Sequence, residues 1–170
     1  MIITTKRLLL RLPTNKDIKD IVKISNYKVL SLKLSSLPYP YSEDNAKEWI
    51  KKANSSNYIG FLIEFEKEVV GVINIDISKE HNHATISYYL APQYWNKKIM
   101  SEAVGGVVDF CFNKLNLIRV AAHHFHTNMI SGKVLLRNNF LLEGIRRKHF
   151  KKENEYLDIY DYGILKESLC

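Results

Sequence analysis

Residues 85–108 constrain this chain more than any other stretch. They open on a β-rich run, Ile86-Ser87-Tyr88-Tyr89-Leu90, which Ala91-Pro92 stops. A polar, basic loop follows over 93–98. Met100, Ala103, Val104, Val107, Val108 and Cys111 then recur at helical spacing. A strand, a tight loop and a helix start in succession offer backbone N–H groups and the positive end of a helix dipole to an anion. Lys97 and Lys98 add two cations to the loop. This stretch therefore predicts a site for a phosphate-bearing ligand.

The remaining bounds are broad. A chain of 170 residues can bury a real core, and residues 1–170 read as a single domain. No apolar run approaches the roughly 18 residues a membrane span needs, and the first twelve residues lack the apolar length and cleavage site of a signal peptide. Membrane association is not expected. The two cysteines, Cys111 on an apolar helix face and Cys170 at the last position, make no disulfide framework, which fits a reducing cytoplasm. A net charge of +7 admits an acidic partner such as a nucleotide cofactor, RNA or a ribosome, or is simply a solvated basic surface.

Taken in order, residues 2–12 predict a first strand ended by Pro13. Thr14 and Asp17 mark a helix start. Residues 29–37 are ambiguous, with serine and lysine between leucines, and Pro38-Tyr39-Pro40 is a stiff break. Ser42 caps a helix whose apolar stripe is Ala46, Trp49, Ile50 and Ala53. Residues 58–65 and 69–77 predict a hairpin turning at Glu66-Lys67-Glu68. Residues 117–125 form the next strand, Thr127-Asn128 cap a short helix, and 140–148 and 156–165 are the last strands, joined by a charged turn over 151–154. This order predicts an α/β (α+β) domain, a mixed sheet with helices on both faces.

These residues resemble the GNAT acyl-CoA N-acyltransferases, and within them the Rim-type branch of ribosomal-protein N-terminal acetyltransferases. The likeness covers nearly the whole chain. Thr5-Lys6-Arg7-Leu8-Leu9-Leu10-Arg11 resembles the branch's opening T-x-R-L-x-L-R. Val70-Gly71-Val72-Ile73 resembles its third strand, and Ile86-Ser87-Tyr88-Tyr89-Leu90 its fourth. Asn128-Met129-Ile130-Ser131 matches N-x-x-S, and Phe140-Leu141-Leu142-Glu143-Gly144 matches F-x-x-E-G.

The resemblance implies a largely antiparallel sheet splayed between the family's fourth and fifth strands, with acetyl-CoA as co-substrate. Pantetheine would lie in the splay as an added strand on the backbone of Tyr88, Tyr89 and Leu90. The pyrophosphate would sit on loop and helix-start residues Trp95, Asn96, Lys97, Lys98, Ile99, Met100 and Ser101. A backbone N–H near Leu90 would polarise the acetyl carbonyl. Ser131 would protonate the leaving thiolate, since the tyrosine many relatives use falls at Leu135 here; a water is the other choice. Asn128 is a cofactor contact or a plain helix cap.

The loop departs from the family's Q/R-x-x-G-x-G/A pattern. Asn96 and Lys98 stand where glycines are usual. Asparagine tolerates a left-handed backbone; lysine adopts it at roughly 1–2 kcal/mol. Either lysine charge offsets that strain or affinity for the cofactor is lost. The usual glycine before Phe140 is Asn139, which suits a left-handed helix end.

The acceptor is expected to be an amine, that of a protein N-terminus or a small molecule, and a non-catalytic acyl-CoA-binding module is the reading from a different class. Ribosome association and a homodimer are both compatible with the branch. The base is open among His123, His124, His126, the Glu80-His81-His83 cluster, a tyrosine hydroxyl and water. Alternation sends His123 to one sheet face and His124 to the other, which is poor geometry for a metal, and none is expected. Tyr39, Tyr41 and Trp49 would belong to one wall of the acceptor site.

Overall fold

In the computed structural model, which describes residues 1–169, one sheet carries the molecule. Its strands are β1 (Ile2–Thr4), β2 (Leu8–Arg11), β3 (Tyr58–Phe65), β4 (Glu68–Ser78), β5 (His83–Leu90), β6 (Arg119–Phe125), β7 (Leu141–Lys152) and β8 (Glu155–Leu165). Their spatial order is β1-β2-β3-β4-β5-β6-β8-β7. Every adjacent pair is antiparallel except β5 and β6. The helices are α1 (Ile18–Ser25), α2 (Lys28–Lys33), α3 (Glu43–Ala53), α4 (Ile99–Asn113) and α5 (Met129–Leu136). Cys170 lies outside the described residues. Among those residues, no helix is long and apolar enough to cross a membrane.

Alternation along the strands sorts the core into two layers. Phe61, Ile63, Ile73, Ile75 and Ile86 face Ala103, Val104, Val107 and Cys111 of α4 and Leu135 of α5. Leu62 and Val72 face Ile21 and Ile24 of α1 and Ala46 and Ile50 of α3. Helices thus cover both faces, as their apolar stripes predict. Ser42 caps α3 in a reciprocal box with Asn45.

The splay is visible in the register. The parallel ladder of β5 and β6 runs from His83↔Arg119 to Ile86↔Ala122 and stops. Beyond it β5 stays paired to β4 as far as Leu90↔Gly71, and β6 stays paired to β8 as far as Phe125↔Ile159. Each strand is held on its outer side only, so a wedge opens between residues 87–90 and 123–125.

Three boundaries differ from the sequence reading. The expected strand over 2–12 is broken at Thr5-Lys6-Arg7, where the side chains of Thr5 and Arg7 reach across to Glu102 of α4. The ambiguous segment contains a helix, α2. Finally, the strand expected over 140–148 runs on to Lys152 as β7, and β8 lies between it and β6.

Candidate functional site

The splay leaves one edge of β5 without a partner strand. Ala91 N–H donates to Val70 O at 3.0 Å, continuing the β4–β5 ladder. Backbone groups alternate in direction along a strand, so Tyr89 turns its N–H and C=O to β4, while Tyr88 and Leu90 turn theirs into the wedge. The main chain of Tyr89 is therefore committed to the sheet. Its hydroxyl is committed as well, to Ser25 Oγ at 2.7 Å across α1. The Leu90 carbonyl accepts from Trp95 Nε1 at 2.9 Å, and its N–H faces the opening.

Gly71 permits this arrangement. It stands opposite Leu90 in a pair that shares no hydrogen bonds, the closer of the two antiparallel pairings. A Cβ there would lie 2.4 Å from Tyr89 O and 2.5 Å from Leu90 Cδ2.

The loop after β5 keeps the left-handed geometry without the glycines. Asn96 has φ 61° and Lys98 has φ 59°. Lys98 is the residue from which α4 starts, with Glu102 N–H donating to its carbonyl at 3.2 Å. The N–H groups of Ile99, Met100 and Ser101 thus belong to a first helical turn and have no partner within the helix. The N-terminal segment clamps this turn. Glu102 Oε1 accepts from Thr5 Oγ1 and from Arg7 N–H, both at 2.7 Å, and Oε2 accepts from Arg7 Nε at 2.6 Å. Burial acts against the Glu102 carboxylate, yet these hydrogen bonds hold its pKa below the usual range. Arg7 Nη1 also donates to Lys97 O at 3.2 Å.

On the far side of the wedge stands α5. Ser131 Oγ lies 3.0 Å from Tyr88 Oη, pairing two hydroxyls at the cleft wall. Burial pushes the Tyr88 phenol well above its ordinary pKa, with the Ser131 hydrogen bond opposing. Asn128 occupies the N-cap position, but its side chain makes no capping bond and lines the cleft instead. Leu135 is fully buried, so no hydroxyl enters from that position. Asn138 donates to Ser101 O at 3.0 Å and to Ser101 Oγ at 3.3 Å, tying α5 to α4. Asn139, with φ 63°, ends the helix in the left-handed form its residue type suggests.

These elements enclose a cleft of about 240 Å³. Tyr88, Tyr89, Leu90, Trp95, Asn96, Lys98, Ile99, Met100, Ser101, Asn128 and Ser131 all line it. Lys97 does not. Its ammonium lies 5.3 Å from the centroid of the Tyr94 ring, because Arg7 holds its carbonyl on the N-terminal side. Arg137, past the end of α5, stands at the cleft instead as a cation beside Lys98 and Lys33. Sequence reasoning missed Arg137; Leu30, Lys33 and Leu34, which bring α2 over the opening, fall in the segment from Leu30 to Tyr41 that the sequence marks as the specificity loop. The i, i+4 spacing of Leu30 and Leu34 was the available signal.

A smaller crevice of about 60 Å³ runs through the wedge, between Ser87 and Tyr88 on one side and His123 and His124 on the other. His124 is buried, with Nδ1 2.8 Å from Phe125 O and Nε2 3.4 Å from Tyr162 Oη. His126 Nδ1 accepts from Asp158 N–H at 3.1 Å. His81 and His83 stack on each other where β5 begins, at the opposite end of that strand from the wedge; with Glu80 in the same turn they are outside the site. Tyr41 is core, Tyr39 is half exposed, and Trp49 Nε1 donates to Asn74 Oδ1 at 3.0 Å. Among the described residues no three His, Cys, Asp or Glu converge as a metal site would require.

Chemically the cleft offers a free strand edge, a helix start with unpaired N–H groups and nearby cations, and a hydroxyl pair. A model of the acetyltransferase (GNAT) domain matches residues 7–141. The chain is 31% identical to the N-acetyltransferase YnaD of Bacillus subtilis over 98% of both chains. It is 28% identical to the ribosomal protein uS5 alanine N-acetyltransferase of Escherichia coli over 63% of this chain and 56% of that one. Among solved structures, the ribosomal L7/L12 alpha-N-protein acetyltransferase RimL in complex with coenzyme A superimposes with a TM-score of 0.89, at 20% identity, over 97% of this chain and 98% of that one. That last likeness is one of fold.

Proposed function

This chain belongs to the acetyltransferase (GNAT) domain family as an acyl-CoA-dependent N-acetyltransferase, and we propose that its acceptor is the N-terminal amine of a protein or peptide. Acetyl-CoA is the co-substrate. In this reading the free edge of β5 at Tyr88 and Leu90 receives pantetheine by β-augmentation. The N–H groups of Ile99, Met100 and Ser101 receive pyrophosphate, with Lys98 and Arg137 beside them. The Leu90 N–H stabilises negative charge developing on the acetyl oxygen. Ser131, backed by Tyr88, protonates the departing thiolate.

One observation carries the choice of acceptor. Neither the cleft nor the crevice is lined by an aspartate or glutamate. A polyamine or aminoglycoside carries several cationic charges and needs carboxylates to desolvate them. A peptide terminus brings one ammonium, and its backbone can pair with the edge of β6 left free beyond Ala122. The ribosomal protein uS5 alanine N-acetyltransferase among the relatives supports this choice. Exposed Arg147, Lys148 and Lys151 on β7 suit recruitment through an acidic carrier such as the ribosome. Burial pushes the Cys111 thiol up to about 12, which keeps it an inert core group.

The test combines calorimetric titration with acetyl-CoA and an amine panel followed by free-thiol release. Peptides with a free terminus are expected to turn over; the same peptides blocked at the terminus, and spermidine, are not. Turnover of spermidine in preference to peptides would overturn the acceptor assignment. Absence of acetyl-CoA binding at millimolar ligand would overturn the site.

Lys98→Gly separates strain from charge in the loop. Relief of the left-handed lysine is expected to raise stability by about 1 kcal/mol, read in thermal unfolding. Loss of the exposed cation is expected to weaken acetyl-CoA binding about fivefold, as an exposed charge contact of up to about 1 kcal/mol would. Tighter binding in the variant would show that backbone geometry, not charge, limits affinity.

A further inference from the structure

We infer that His123 is the general base of the transfer, taking the proton from the acceptor ammonium at the crevice between β5 and β6. This rests on the proposed peptide acceptor. The placement comes first. Both His123 and Ser131 line the crevice, with Ser87 and Tyr88 between them on β5. Alternation along β6 puts the His123 side chain on the sheet face opposite that of His124. His124 lies against α5, since a Cβ on Gly132 would come 2.7 Å from His124 Nε2. Ser131 therefore approaches the wedge from the α5 face and His123 from the other. A thioester held between them has a proton donor on the thiol side and a proton acceptor on the amine side, the division of labour that acyl transfer to an amine requires.

The other imidazoles are spent or distant. The nitrogens of His124 face Phe125 O and Tyr162 Oη, His126 Nδ1 accepts a backbone N–H, and His81 and His83 stack beyond the start of the β5–β6 ladder. The crevice lining contains no carboxylate, and the Tyr88 phenol is pushed up by burial.

The charged groups around His123 come from four elements. Asp161 of β8 is its ladder partner. Arg146 of β7 holds both oxygens of Asp161, at 2.6 and 2.7 Å, and lies 2.7 Å from His149 Nε2. His124 is its neighbour in β6, and Lys33 of α2 lines the same crevice. His123 is exposed at the crevice mouth, and the desolvation it does undergo there holds its pKa below the ordinary imidazole value; Asp161 opposes, and Arg146, His124 and His149 lower it further. The imidazole is accordingly neutral at pH 7 and able to accept a proton.

That poise favours one class of amine. An α-ammonium, near pKa ~7.7–8.0, gives its proton to a neutral imidazole more readily than a lysine or polyamine ammonium near ~10.4 does. In the step itself, the ammonium transfers one proton to His123. The nitrogen lone pair forms the C–N bond, the C–S pair leaves on sulfur, and the remaining excess amine proton reaches the thiolate through Ser131. His123 returns its proton to solvent.

His123→Gln and His123→Ala test this, with a peptide of free N-terminus as acceptor. Both are expected to lower kcat/KM about 10²-fold at pH 7 with acetyl-CoA affinity unchanged by calorimetry. The wild-type enzyme should lose activity on an acidic limb lying below pH 6.5, as His123 becomes protonated. Both variants should lack that limb, and added imidazole should restore turnover in His123→Ala. Wild-type rates in either variant, or retention of the acidic limb, would overturn the assignment. If the wild-type enzyme turns over spermidine and not peptides, the acceptor reading fails separately, and the same pH profiles on spermidine decide the role of His123.

Discussion

Replacement of Ser131 by alanine is expected to lower kcat by about 10²–10⁴-fold while leaving acetyl-CoA affinity unchanged. The direction follows from where the hydroxyl sits. Ser131 Oγ is 3.0 Å from Tyr88 Oη, and the phenol is held protonated by burial. A protonated phenol donating to Ser131 leaves the serine proton directed elsewhere, toward a thiolate in the cleft. The methyl of alanine keeps the helix start and the cleft shape, so binding survives and proton delivery does not. Tyr88→Phe is expected to have a smaller effect, and the double variant is expected to be no worse than Ser131→Ala, because groups acting as one relay are not additive. Stopped-flow thiol release with calorimetry in parallel reads both quantities. Unchanged turnover in Ser131→Ala would assign the proton to water.

The second large effect is structural in origin. Gly71→Ala places a Cβ 2.4 Å from the Tyr89 carbonyl oxygen, a backbone atom that cannot rotate away. Strands β4 and β5 must part, at about 3 kcal/mol. For a chain of this size that corresponds to a fall in Tm of roughly 6–12 °C. The same shift displaces the Leu90 N–H, so acetyl-CoA affinity is expected to fall together with stability. Thermal unfolding with and without acetyl-CoA checks this. A destabilised variant that retained full cofactor affinity would show that β5 does not hold the co-substrate through its backbone.

Much of the site was legible because its chemistry is local. The strand-loop-helix succession over 85–108 is written in consecutive residues, and the left-handed positions fall at Asn96 and Lys98, where the pattern leads one to look. The hidden parts depend on distant contacts. Lys97 and Lys98 are equivalent as a charged pair in the sequence, and only Arg7 on the Lys97 carbonyl turns one of them away. Arg137 reaches the cleft because Asn138 ties the end of α5 to Ser101. The helix α2 is short and lacks a side-chain cap, so only the spacing of Leu30 and Leu34 announced it. Tyr88 and Tyr89 separated as alternation requires, one toward Ser131 and one toward Ser25, although which faced the cleft needed the sheet.

The hold of Thr5 and Arg7 on Glu102 spans 97 and 95 positions of chain. Closing so long a loop carries an entropic cost, which docking of the first strands offsets. The loop over 93–98, although its own residues are contiguous, thus holds its shape through Thr5 and Arg7. A ligand that binds this loop binds only the folded chain, and so is expected to stabilise the whole domain.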